Sequence, residues 1–222
     1  MTEDLPHAGY AADVPRPPIG VSIDVPDHWT VLDLNPATWD TWLDAFLAQR
    51  LSGRPNASHE RGPARQALLG LLRQLHESKV FMAAILAADV GGDLVSASAT
   101  LAWRELDLHG DKIELEGLRQ VYLQAPAALG EDMAARTVDR VELPSGGAIK
   151  VVSRERVRIP GTTKDQPATL IQYLIPVLDM DWLAVITAST PNDPLIEGVE
   201  VVAHQMATTL TFGIGSRQAG FS

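Results

Sequence analysis

Residues 80–106 read VFMAAILAADV-GGD-LVSASATLAWREL. Two long apolar runs flank Gly91-Gly92-Asp93, a strong local signal for a β-hairpin. The second run alternates: Val95, Ala97, Ala99, Leu101 and Trp103 point one way, and Ser96, Ser98, Thr100 and Arg104 the other. The first run has no polar side, since Phe81, Ala83 and Ile85 oppose Met82, Ala84 and Leu86. A strand apolar on both sides must be covered on both sides, which predicts a central position in a sheet under helices. The small hydroxyls of the second strand predict a flat, uncharged surface beside any groove or docking face.

Moving outward, Ile19, Val21, Ile23 and Val25 alternate with small or polar residues, Pro26-Asp27-His28 reads as a turn, and residues 29–34 read as a second strand. Together they predict an N-terminal hairpin. Asn35 and Pro36 read as N-cap and first position of a helix whose stripe is Trp39, Trp42, Leu43, Phe46 and Leu47. Residues 56–62 (NASHERG) read as a polar loop, and Pro63 as the start of a second helix buried through Ala67, Leu68, Leu71, Leu72 and Leu75. After a turn at His109-Gly110-Asp111, residues 111–123 predict a third helix, weakened by Gly117 by roughly 1 kcal/mol relative to Ala. Residues 125–132 read as irregular, and 137–143 with 148–159 as a hairpin about residues 144–147. Residues 161–167 read as an exposed loop, and 168–178 with 182–190 as the last hairpin. A helix capped by Asn192 or Asp193 follows over 194–210. Hairpin-length links between strands predict an α+β protein with a long, mostly antiparallel β-sheet flanked by helices. Residues 1–18, acidic and proline-rich, read as a flexible arm, 19–212 as a single domain, and 213–222 as a frayed tail.

The opening Ile19-Gly20-Val21-Ser22-Ile23-Asp24-Val25-Pro26 with Trp29, and the closing hairpin and helix over residues 170–210, resemble the Mog1/PsbP-like fold family, an α/β/α sandwich. Within it the pattern is similar to LpqN-like and uncharacterised actinobacterial proteins. The resemblance spans about residues 19–212. It implies binding or accessory roles, since the family includes a nuclear-transport factor, photosystem-associated subunits and envelope lipoproteins. It specifies no functional residue.

Composition narrows the chemistry. Lys plus Arg is 18 and Asp plus Glu is 28, a net charge of −10, so nucleic acid is not an expected partner. With no cysteine there is no disulfide, thiolate or cysteine–zinc chemistry, and no lipid attachment through cysteine. No secretory signal is read at the N-terminus, and no apolar run approaches the roughly 20 residues of a spanning helix. A soluble, cytoplasmic protein is expected.

Motifs for catalysis are weak. The six histidines show no metal-ligand spacing, and His59-Glu60 sits in the predicted polar loop. Asp24, Asp27, Asp179 and Asp181 lie at predicted turns, where Asp bonds its own backbone. Ser145 is a turn residue outside any G-x-S-x-G, Gly161-Thr162-Thr163-Lys164 lacks Walker spacing, and Asn56-Ala57-Ser58 matters only in a secreted protein. Trp39 and Trp42 share the first helix's apolar stripe and read as core, with a pocket or interface rim as the alternative.

The strongest departure from the acidic average is a basic strip. Lys150, Arg154, Arg156 and Arg158 share one face of a strand, and the partner strand adds Arg136 and Arg140. Cross-strand pairing with Asp139, Glu142 and Glu155 is the structural account, and docking of an acidic protein the functional one. The leading expectation is a non-enzymatic protein-binding or adaptor protein without metal or cofactor, its homo-oligomeric state open. The alternative is a carrier of a small ligand or lipid, and an enzyme of unknown class ranks third. A cavity of several hundred Å³ with apolar walls would favour the carrier, and a filled core with an exposed apolar patch the adaptor. Under the docking account, the double substitution Arg154→Glu/Arg156→Glu leaves thermal unfolding unchanged and abolishes capture of the partner; retained capture rules that account out.

Overall fold

The computed structural model describes residue 11 and residues 13–52, 57–90, 93–106, 114–128, 132–158 and 165–213. The opening stretch forms β3 (Val80–Val90) and β4 (Asp93–Glu105), paired antiparallel from Val80↔Ala102 to Val90↔Asp93. Its Gly91-Gly92 turn lies outside the described residues. A register shift between Val80 and Met82 sends Phe81 to the same core as Met82, not to the opposite side, and its ring meets Trp103 edge-on at 6.1 Å. Met82, Ala83 and Ala84 are all buried, so β3 is covered on both faces.

The position of the hairpin differs from expectation. The main sheet has seven strands in the order β2-β3-β4-β8-β7-β6-β5, where β2 is Thr30–Val31, β5 Thr137–Leu143, β6 Gly146–Arg158, β7 Asp165–Pro176 and β8 Trp182–Thr190. The centre is β8, and β3 lies next to the edge, where β2 covers two residues. Every ladder is antiparallel. With four helices beside this sheet the class is α+β. The expected N-terminal hairpin does not form: β1 (Gly20–Ser22) pairs with β9 (Thr211–Gly213) in a separate two-stranded sheet, and β2 joins β3. For β1 the partner strand at the far end of the chain, Thr211–Gly213, wins over the neighbour across Pro26. The β9 pairing also orders Gly213, read as the first residue of a frayed tail. The arm read as flexible is anchored from Ala11 onward: Ala11 and Val14 are buried, and the Ala11 amide donates to the Phe81 carbonyl at 3.3 Å.

Register explains the layers. One row runs Met82–Leu101–Ile186–Tyr173 across four strands, and the helix α4 (Ile196–Thr209) packs on it through Val199, Val202 and Met206. On the other face a row runs Ala83–Thr100–Thr187–Gln172–Val151–Val138. Its two ends are apolar and its middle is polar. The end at Ala83 lies under α1 (Trp39–Arg50) and α2 (Ala57–Glu77), and the end at Val151 and Val138 under α3 (Leu115–Gln124). Gly147 permits the last contact, since a Cβ there would sit 2.5 Å from Leu115 Cδ1.

Helix ends depart from expectation for local reasons. Asn35 does not cap α1: the buried Asp33 accepts from the Asn35 amide and the Thr38 hydroxyl, tying residues 33–38 into a turn that delays the helix to Trp39. Pro63 lies inside α2, which starts at Ala57, so His59 and Glu60 are helical; Arg61 and Arg65 reach Asp44 and Asp40 on α1. Ala67 is exposed, and Leu72 is the leucine of that stripe that is fully buried. A 3-10 turn at Met133–Ala135 interrupts the connection to β5, and another at Asp193–Leu195 precedes α4. Residues 165–167, read as loop, belong to β7. The predicted turns at residues 109–111 and most of the predicted loop over 161–167 lie outside the described residues.

Tyr173 is 2% exposed, with its hydroxyl 3.3 Å from His204 Nδ1. Burial, with the Glu200 charge added to it, pushes its pKa from 10.0 up to about 12. The folded phenol therefore holds its proton more tightly than the unfolded one, and the resulting stability is intact below pH 10 and lost as pH rises from 10 through about 12. Alkaline unfolding followed by circular dichroism is expected to show a loss on the order of 2 kcal/mol in that window, and Tyr173→Phe is expected to remove that component.

Candidate functional site

The polar middle of the α2/α3 face is where side chains remain partly open to solvent. In β4 and β8, Ser98 pairs with Ser189 and Thr100 with Thr187, so the ladder sets hydroxyl against hydroxyl. Ser98 Oγ and Ser189 Oγ are 2.8 Å apart, and Gln172 Nε2 donates to Thr187 Oγ1 at 3.1 Å. Beyond the end of this ladder the two strands are held by a clamp. Buried Thr190 donates through Oγ1 to the Ser96 carbonyl at 2.8 Å and accepts from the Asn192 amide at 3.1 Å, while Asn192 Oδ1 accepts from the Ser96 amide at 2.9 Å. Asn192 thus fastens the sheet and makes no side-chain cap to the helical turn that follows.

At this end the sheet and α2 do not close on one another. They leave a groove of about 370 Å³, with Leu71 and Leu75 of α2 on one side and Ile85, Ser96, Ser98 and Ser189 of the sheet beneath. Val157, Gln166, Ala168 and Pro191 form the far wall, and Gln74 stands on the α2 side. The walls are mainly apolar, and among the described residues the polar side chains that line the groove are serines and glutamines. A larger hollow of about 520 Å³ lies among residues 23–27, Val31, Met82 and Gln205; it is more open and more polar.

The six basic residues do not form one surface. Arg136 donates to the carbonyls of Tyr122, Ala125 and Pro126 at 3.0, 2.9 and 3.4 Å, closing the C-terminal end of α3. Arg140 lies opposite Ile149 and so projects to the α3 face, away from Lys150, and pairs with Glu142 at 2.8 Å. Lys150, Arg154 and Arg156 occupy alternate positions of β6 that face α4, as their spacing predicts. Lys150 is ion-paired to Glu200, and Arg154 to Asp193 at 3.1 Å. Arg156 is exposed opposite Pro167, and Arg158 lies opposite Asp165 in the ladder. Among the described residues, no group of three His, Asp or Glu side chains is placed to hold a metal ion, and no helix is long and apolar enough to cross a membrane. Among the described residues, Glu116 is lowered chiefly by its bond from Gln120, and burial raises Tyr122 and Tyr173, all three outside the groove.

The serines of β4 were legible as a polar face beside a groove. The walls from α2, β6 and β7 were not, because their positions follow from packing. The one available signal was α2 itself, with more leucines in its stripe than a single covered edge could bury.

No protein-family model matches the chain, and no curated protein matches its sequence. Among solved structures it is similar to LpqN of Mycobacterium tuberculosis, a protein involved in cell envelope biogenesis, with 11% identity over 91% of this chain and 87% of that chain and a TM-score of 0.44. At that level the fold class rests on the ladders themselves, and no residue role passes from that protein to this chain.

The clamp is testable. Thr190→Val leaves the Ser96 carbonyl and Asn192 amide without their partner, and a loss of about 1–3 kcal/mol in urea unfolding is expected. Faster hydrogen exchange at the Ser96 amide than at the Leu101 amide of the same strand would localise the effect; equal acceleration at both would reject the clamp.

Proposed function

We propose that this protein acts by binding, without catalysis, and that its ligand is a small, largely apolar molecule seated between α2 and the sheet. The observation that carries the proposal is the groove of about 370 Å³ with mainly apolar walls, within the roughly 300–1,000 Å³ of small-molecule sites. The state of α2 supports it. Leu68, Leu71 and Leu75 are each half-buried, so a ligand would complete the cover of a stripe that the sheet leaves partly open. Serine hydroxyls and glutamine amides in such walls are the sparse polar groups that orient a ligand. These observations support the carrier reading over the adaptor. A protein partner is the second reading, supported by exposed Arg156 beside Arg154 on the α4 face.

The neutral apolar dye N-phenyl-1-naphthylamine tests the groove directly. Its fluorescence is expected to rise on saturable binding to the wild-type chain. Leu75→Glu, which puts a carboxylate in the wall, is expected to weaken binding at least tenfold, while Leu75→Met and Arg156→Glu leave it unchanged. No saturable signal, or one indifferent to Leu75→Glu, rules the reading out.

A further inference from the structure

We infer that this chain pairs the outer edge of β5 with the same edge of a second copy, around a two-fold axis at Val141. No residue of β5 lines the groove, so the dimer and the ligand reading stand separately.

The two edges of the main sheet differ. At one, β3 is covered by the two residues of β2 and by the amides of Ala11 and Leu32, which donate to the Phe81 and Ala83 carbonyls at 3.3 and 2.9 Å. At the other, β5 runs over Thr137–Leu143 with an unbroken register against β6. Among the described residues no strand lies on its outer side. An edge of this kind, without a proline or a bulge, is a template for another chain. Asp139, Arg140 and Glu142 are exposed along it, and Val141 is half-buried. Charged side chains can keep such an edge from pairing; here their order decides which pairing they allow.

Hairpin geometry shows which main-chain groups are unused. Pro144-Ser145 is a two-residue turn, so its closing pair Leu143↔Gly146 is hydrogen-bonded and the pattern alternates from there. The groups of Leu143, Val141 and Asp139 therefore turn toward β6, and those of Glu142, Arg140 and Val138 turn outward. Arg119 on α3 agrees with this, since its Nε donates to the Val138 carbonyl at 3.1 Å. Among the described residues, nothing takes the outward amides and carbonyls of Arg140 and Glu142.

A two-fold axis along this stretch can fall on Asp139, Arg140, Val141 or Glu142. At any of the three charged residues it sets a charge against its own copy. With the axis at Asp139 or Arg140, the pairing also needs the Val138 carbonyl that Arg119 holds. Val141 escapes both faults. There Arg140 lies opposite Glu142 of the partner subunit, and Glu142 opposite Arg140 of the partner subunit. Each of these pairs exchanges two main-chain hydrogen bonds and sets opposite charges side by side, the arrangement that stabilises antiparallel strands. Val141 meets its own copy in a non-hydrogen-bonded pair, with Cα atoms about 4.5 Å apart.

Local charge also permits the approach. The chain as a whole carries −10, yet the two cations and two anions at this edge sum to zero. Arg119 pairs with Glu116 at 3.2 Å and Arg140 with Glu142 at 2.8 Å. The Glu116 carboxyl, lowered chiefly by its bond from Gln120, also feels Arg140.

The chain has no cysteine, so Val141→Cys puts a single thiol on the axis. Under mild oxidation it is expected to form a disulfide-linked dimer about tenfold faster than Asp139→Cys, which faces Leu143 of the partner subunit and not its own copy. In sedimentation equilibrium the wild-type mass is expected to rise with concentration from 24.0 kDa toward twice that value. Arg140→Glu and Glu142→Arg each set like charges opposite one another twice, and each is expected to weaken dimerisation about tenfold. Arg140→Glu/Glu142→Arg restores both opposite pairs and is expected to regain the dimer. Circular dichroism is expected to stay unchanged in these three variants, because the pair they alter is exposed. A mass of 24.0 kDa at every concentration, cross-linking no faster at Val141→Cys than at Asp139→Cys, or a double variant no better than the single ones would overturn the inference.

Discussion

The ladder between β4 and β8 is the constraint on which the rest depends. It joins the hairpin of residues 80–106 to the closing half of the chain, and without it the main sheet would be two separate pieces. The register that does this is doubly determined. On one side it stacks Ala99 on Ala188, Leu101 on Ile186 and Trp103 on Ala184, all buried beneath or beside α4. On the other it sets Ser98 against Ser189 and Thr100 against Thr187. A slip of one residue would exchange the two sets, driving hydroxyls into the core and Leu101 and Ile186 out of it. The same pairing therefore secures the core and builds the floor of the groove.

The two faces handle charge differently. On the α4 side, Lys150 with Glu200 and Arg154 with Asp193 tie a strand to the helical segment that crosses it. The second pair is solvent-exposed and contributes little to stability. Its effect is to pin the start of the helical segment over the sheet. On the other face neutral hydrogen bonds tie β4, β7 and β8, namely Ser98 with Ser189, Gln172 with Thr187, and the Thr190 and Asn192 bonds to Ser96, while the ion pair of Arg140 with Glu142 lies out on β5. Such bonds hold geometry without a long-range field.

Most of the fold was legible where the signal is local. Alternation in residues 94–106, the hairpin read over 168–190, and the helical stripe of residues 39–47 lead directly to elements that form. What escaped was pairing between distant segments. Residues 19–34 look like a hairpin, yet β1 finds β9 and β2 finds β3, because only the closed tertiary structure offers those edges. The basic strip shows the same limit. Alternation correctly groups Lys150, Arg154 and Arg156, but the side taken by Arg140 depends on its pairing with Ile149 across a two-residue turn. The candidate site divides likewise: the serine floor is written in one strand, whereas its apolar walls come from α2, β6 and β7 and exist only after packing.

The distance along the chain between β4 and β8 also has a consequence in time. A newly made β3–β4 hairpin presents an apolar strand and an open edge, and the strand that closes that edge ends at Thr190. At about 5–20 residues per second, translation from Glu105 to Thr190 takes roughly 4–17 s. Throughout that interval the hairpin cannot be completed by its own partner. Its vulnerability during synthesis is set by the order of strands, and a chaperone that shields one unpaired edge would meet this chain at β4.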